Sequence, residues 1–188
     1  AMFLIRKHIP ENDITSLREH FALAQQTCLK EGLTGFHDAG ADSITLALYQ
    51  EMLDAGELDI RLYTMLDGWD NTLVKHWLSA GPSVHPMLTT RSIKLYADGA
   101  LGSRGAWLLQ SYSDMKNTFG HARMDMDGVG KMAQEALQHG FQVCVHAIGD
   151  RANREVLDQY EAAFSQNPDA AKNARFRIEH AQHLHPED

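Results

Sequence analysis

Three side chains stand where apolar runs end and chemistry could begin: Lys94, His146 and His180. Lys94 lies inside the apolar run Ile93-Lys94-Leu95. A lysine in such a place is costly unless it is paired or chemically altered. It could face solvent at a sheet edge, pair with Asp98, form a Schiff base, or be carboxylated by CO₂ to an anion able to bridge metal ions. His146 ends Val143-Cys144-Val145-His146, and His180 ends the run Arg175 to His180. One histidine in that position reads as a core residue with a single backbone hydrogen bond. Two on neighbouring parallel strands could share a cation, and neutral imidazole suits Zn, Fe, Ni or Cu. Asp98 follows Lys94, and Asp150 follows His146.

The stretch Asp98 to Gly105 (DGALGSRG) is glycine-rich but fits neither the dinucleotide-binding nor the P-loop pattern. It reads as a loop around the mouth of a site, with Arg104 able to hold an anionic group. His183-Leu184-His185 falls after the last strand and before Pro186-Glu187-Asp188, a helix-start pattern, and reads as surface. His8, His20, His76, His85, His121 and His139 have no partner spacing and read as solvent-facing.

The elements that position these groups alternate. Helices are expected over 13–30, from Asp42 through Leu53, over 69–80, over 127–139 and over 150–165. Strands are expected over 33–38, 58–63, 92–97, 141–147 and 175–180. Strands alternating with helices of this length argue an α/β fold with a parallel sheet and right-handed crossover helices. A doubly wound sheet and a barrel both place function at the C-terminal strand ends, where the residues above cluster.

The 188 residues carry 17 Lys+Arg against 25 Asp+Glu, a formal net charge of −8. That balance argues against a nucleic-acid groove or a polybasic membrane surface. No apolar run approaches the ~20 residues of a membrane span. Arg6, Lys7 and His8 follow only a few apolar residues, which is not a complete leader peptide. Cys28 and Cys144 each sit in an apolar-periodic segment and read as buried free thiols. At 188 residues the chain is short for a (β/α)₈ barrel, which typically needs about 250.

Four segments carry a resemblance: 93–108 (IKLYADGALGSRGAWL), 145–161 (VHAIGDRANREVLDQYE), 177–188 (RIEHAQHLHPED) and 32–40 (GLTGFHDAG). Together they resemble the amidohydrolase superfamily, in the metal-dependent branch of N-substituted formamide deformylases and exoenzyme-regulatory-protein-like hydrolases. The resemblance implies a partial (β/α)₈ TIM barrel, about strands two to six, forming a single domain over 1–188. It implies a mono- or binuclear centre of zinc or another divalent metal, with Lys94 as the carboxylated bridging ligand and His146 and His180 as ligands. Asp98, Gly99 and Arg104 match a loop motif on the substrate side. Asp150 matches an aspartate in a supporting or helix-capping role. The family's first-strand His-x-His pair, eighth-strand aspartate and flanking β-sandwich have no counterpart here. The implied activity is hydrolysis of an amide-type, non-peptide C–N bond in a small molecule, with this chain alone inactive. The open sheet edges allow a homodimer, and the compartment, cytoplasmic or periplasmic, stays open. The alternatives are a non-enzymatic α/β binding domain with structural histidines and a Schiff-base lyase using Lys94.

Overall fold

Four of the helices start where a short acidic side chain satisfies a free backbone N–H. Asp13 accepts from Ser16 N at 2.8 Å and opens α1 (Ile14–Lys30). Asp42 accepts from Thr45 N at 2.8 Å and opens α2 (Ser43–Asp54). Asp70 caps α3 (Asn71–Ala80) through Thr72 N and Leu73 N, which leaves Trp69, expected inside this helix, outside it. Asp125 opens α4 (Met126–His139), and Gly140, at φ 74°, closes it in the left-handed region that favours glycine. α5 spans Asp150–Gln166, and a single turn, α6 (Pro168–Ala171), follows. The computed structural model describes residues 13–188 together with Ile5, His8 and Ile9. Most of the N-terminal stretch read above for a leader peptide therefore lies outside the described residues.

The strands are β1 (Gly35–Ala41), β2 (Arg61–Asp67), β3 (Ser83–Val84), β4 (Leu88–Tyr96), β5 (Gln142–Ala147) and β6 (Arg177–His180). The sheet runs β1-β2-β4-β5-β6, all parallel, with the two-residue β3 antiparallel on β4. Three strands are displaced from their expected positions: β4 starts four residues early, at Leu88, and β1 and β2 shift as follows. β1 continues through Asp38-Ala39 to Ala41, with an irregularity at Gly40, whose φ is 110°. β2 starts at Arg61, because Leu58 and Ile60 alternate for another reason: they fill a small core with Tyr49, Leu62 and Leu88.

The main core lies between the sheet and its helices. Ile93, Leu95, Val143, Val145 and Ala147 pack against Val129, Ala133 and Ala136 of α4 and Ala152, Val156 and Ala163 of α5. The opposite sheet face is polar. On it Tyr63 donates to Gln142 Oε1 at 2.8 Å, and Arg177 Nη1 lies 2.7 Å from His37 Nδ1. β1 and β6 are the two edges of the sheet. Laid flat, four strand spacings would separate them by about 19 Å. The Arg177–His37 contact therefore requires the sheet to roll up. The fold is α/β with the parallel sheet forming a half-barrel, its helices outside and its polar face within.

Cys144 is fully buried on β5 and Cys28 is half-buried on α1; both are free thiols. Burial, with the Glu179 charge adding, pushes the Cys144 thiol up to about 12. A thiol-specific reagent at neutral pH is expected to label Cys28 alone in the folded chain and both cysteines in denaturant. Rapid labelling of native Cys144, read by peptide mass, would contradict this burial.

Candidate metal centre

Alternation along the rolled sheet sends Ser92, Lys94 and Tyr96 of β4 inward, level with Gln142, Cys144 and His146 of β5. The next strand sets Arg177 and Glu179 level with Cys144 and His146. By the same alternation His180 should point outward. Instead its backbone turns left-handed, with φ 78° at His180 and 42° at Ala181. These are uncommon values for residues with a Cβ. The turn brings the His180 ring edge-on to His146, with centroids 4.6 Å apart.

Lys94 is only 4 % exposed, and β4 is flanked on both sides, by β2 and β5. The solvent-facing and Asp98-paired arrangements open to it in the sequence are thus both absent. Its Nζ donates to Leu95 O at 2.9 Å and lies 3.7 Å from the centroid of the Tyr96 ring. Burial pulls its pKa down to about 8. Burial, reinforced by His146 and the Lys94 charge, also holds the His180 imidazole below its ordinary value. Both shifts favour the uncharged nitrogens that metal ligation needs. Among the described residues no three His, Cys, Asp or Glu converge as a ready metal cluster.

Asp98 is fully buried. Its Oδ2 accepts from Trp107 N and Gly149 N, both at 2.8 Å, and its Oδ1 accepts from Ile148 N at 3.0 Å. His146 Nε2 lies 3.3 Å from the same Oδ1. Burial pushes the Asp98 carboxyl up, but His146 and the three N–H donors outweigh it and hold it below the usual range.

Gly99 lies against Gly105, where an added Cβ would sit 3.2 Å from the Gly105 Cα, so the loop folds back on itself there. Arg104 grips Asp114 with two hydrogen bonds, at 2.8 and 3.3 Å. Asp150 is the first residue of α5; its Oδ1 accepts from Arg151 N in the first turn and from Leu109 N, both at 2.9 Å, and ties the long loop down. Arg104, Asp114, Tyr112, Asp150 and His183 line one cleft of about 550 Å³, which includes neither Lys94 nor His146. His183 is exposed, while His185 packs on Arg154 at 3.0 Å, in a turn rather than a helix.

The sequence reading missed the Arg177–Glu179 pair, in which Arg177 Nη2 lies 2.8 and 2.9 Å from the two carboxylate oxygens. The two-residue spacing of Arg177 and Glu179 on one strand was the available signal. It also missed the Trp69–Tyr96 stack at 6.4 Å, which roofs the Lys94 side.

A model of the amidohydrolase family matches residues 2–188. The chain belongs to the amidohydrolase family. Over nearly its whole length, this amidohydrolase is 32 % identical to protein LONG AFTER FAR-RED 3 of Arabidopsis thaliana, covering 99 % of the chain and 33 % of that protein. It is 31 % identical to the putative amidohydrolase YtcJ of Bacillus subtilis strain 168, covering 98 % of the chain and 34 % of YtcJ. It thus spans about a third of the length of these relatives. Two solved structures share its fold, both uncharacterized metal-dependent hydrolases. The Pyrococcus horikoshii OT3 structure gives a TM-score of 0.77 at 23 % identity, over 89 % of this amidohydrolase and 37 % of the other chain. The Pyrococcus furiosus structure gives 0.78 at 24 %, over 94 % and 40 %. Among the described residues no helix of this amidohydrolase is long and apolar enough to cross a membrane.

Proposed function

We propose that this chain supplies barrel strands two to six of a metal-dependent amidohydrolase that cleaves a non-peptide C–N bond, amide or formamide-like, in a small molecule. The observation that carries the reading is the His146–His180 ring pair, brought together by left-handed backbone at His180 on the face that holds Lys94. Strain of this kind persists where the surroundings enforce it and gathers at functional sites. His146 and His180 supply two imidazole nitrogens. Lys94 Nζ adds to CO₂, forming an N–C bond and releasing a proton to solvent, and so presents a carboxylate as the third ligand. A divalent ion, with zinc suited to this N and O set, would supply Lewis-acid polarisation and an acidified water when bound. The branch that includes N-substituted formamide deformylases fits this arrangement. The open edges of β1 and β6 suit either further barrel strands or a second copy of the chain. We propose that the 188-residue chain alone turns over slowly or not at all, because His146, His180 and Lys94 make only one half of a two-metal site.

The test is metal content after dialysis against zinc with bicarbonate. About one ion per chain, lost in His146→Ala and in His180→Ala, together with a carboxylate mass gain on Lys94, is the expected result. No metal in any chain, with all three equally stable, would leave the histidines structural. Borohydride trapping of a carbonyl substrate on Lys94 would instead favour Schiff-base chemistry.

A further inference from the structure

Among the described residues, His146 Nε2 is one of three buried side-chain polar atoms with no aligned hydrogen-bond partner. Such an atom in a native fold calls for an explanation. One acceptor stands against it: Asp98 Oδ1, 3.3 Å away. Asp98 itself cannot easily move. Three backbone N–H groups hold it, one from Trp107 on the long loop after β4 and two from Ile148 and Gly149 in the turn after β5. The ring therefore faces a fixed anion on its Nε2 side, while its Nδ1 side is the one left for the polar face.

We infer that Asp98 is a positioning residue: its carboxylate takes the Nε2–H of His146, fixes that tautomer, and leaves the Nδ1 lone pair to a cation. This rests on the metal-centre reading above and goes beyond it, because it moves Asp98 from substrate contact to ligand orientation. A ligating histidine commonly donates its second ring nitrogen to a carboxylate, and loss of that partner typically costs about 10–100-fold in metal affinity. The same three N–H donors make the orientation of His146 depend on the docking of residues 98–109. A loop that binds substrate and a strand that holds a ligand are thereby joined through one carboxylate.

The experiment uses the metal-free 188-residue chain labelled with ¹⁵N-histidine, with His146 assigned by comparison with His146→Gln. The expected spectrum shows His146 protonated at Nε2 and bare at Nδ1; protonation at Nδ1 would overturn the inference without any change to Asp98. The second arm titrates Asp98→Asn and wild type with zinc in bicarbonate buffer. A loss of about 10–100-fold, with the His180 signals still responding to the ion, is expected. Unchanged affinity in a folded Asp98→Asn chain would overturn the positioning role and leave the metal centre standing. Wild-type chain that binds no zinc, yet keeps the Nε2–H tautomer, would instead remove the metal-centre reading.

Discussion

A Gly149→Ala chain is expected to lose about 3 kcal/mol of stability and to release the long loop after β4. At its φ of −75° Gly149 needs no unusual backbone, so the reason for glycine here is space. A Cβ there would lie 2.0 Å from Trp107 O and 2.5 Å from Trp107 C, backbone atoms that cannot swing aside. The same Trp107 backbone donates to Asp98 and accepts from Ala152 N, so pushing it away breaks the carboxylate junction and the seat of the loop on α5 together. For a chain of this size, 3 kcal/mol corresponds to a fall in Tm of about 6–12 °C. Gly102→Ala is the control: it lies in the same loop, its added Cβ meets nothing within 4 Å, and it is expected to change little. Circular dichroism melts, with limited proteolysis of residues 98–125, provide the readout. Equal melting of the two variants would show that Trp107 is not held against Gly149.

The second large effect has the opposite sign. Lys94→Met is expected to make the metal-free chain more stable while abolishing metal binding. Lys94 is almost wholly buried, with its pKa pulled down from 10.5 to about 8. A shift of that size is worth about 3 kcal/mol between the protonation states. The sign follows from proton counts. Between pH 8 and 10.5 the unfolded chain holds a proton that the folded chain has given up. Wild-type stability therefore rises with pH across that window, and the full cost is present below it. Methionine fills the stem volume without the charge. It forfeits the Leu95 O hydrogen bond and the Tyr96 contact, so the net gain at pH 7 is about 1–2 kcal/mol, shrinking as the pH passes 8. Urea unfolding at pH 7 and pH 9.5 measures both quantities. A Lys94→Met chain less stable than wild type at pH 7 would show that the buried ammonium is well compensated.

Lys94, His146 and His180 were legible in the sequence because each breaks a local rule: a charge inside an apolar strand, or imidazole where an apolar run stops. The inward turn of Asp98 was not legible, since its partners are backbone N–H groups that any residue carries. Nor was the route by which His180 reaches His146, since φ 78° at a histidine runs against its local preference and is set by the surroundings. The order of strands and helices followed from periodicity, but the start of β2 did not. Leu58 and Ile60 alternate because they pack into the smaller core, while the paired segment Arg61–Asp67, covered on both faces, has little reason to alternate. β3, at two residues, is too short to show any period.

The tie between His37 and Arg177 has a consequence for how the chain comes to be folded. The two residues are 140 positions apart, and Tyr63 and Gln142 are 79 apart. At about 5–20 residues per second, Arg177 leaves the ribosome roughly 7–28 s after His37. The strand–helix units can bury their apolar sides as they emerge, each against its neighbour, but the Arg177–His37 contact waits for β6. Contacts of such long sequence separation form slowly. The polar face that bears the metal-ligand candidates is thus knit by contacts of long sequence separation, while the apolar sides of the strand–helix units are built from neighbours in the chain.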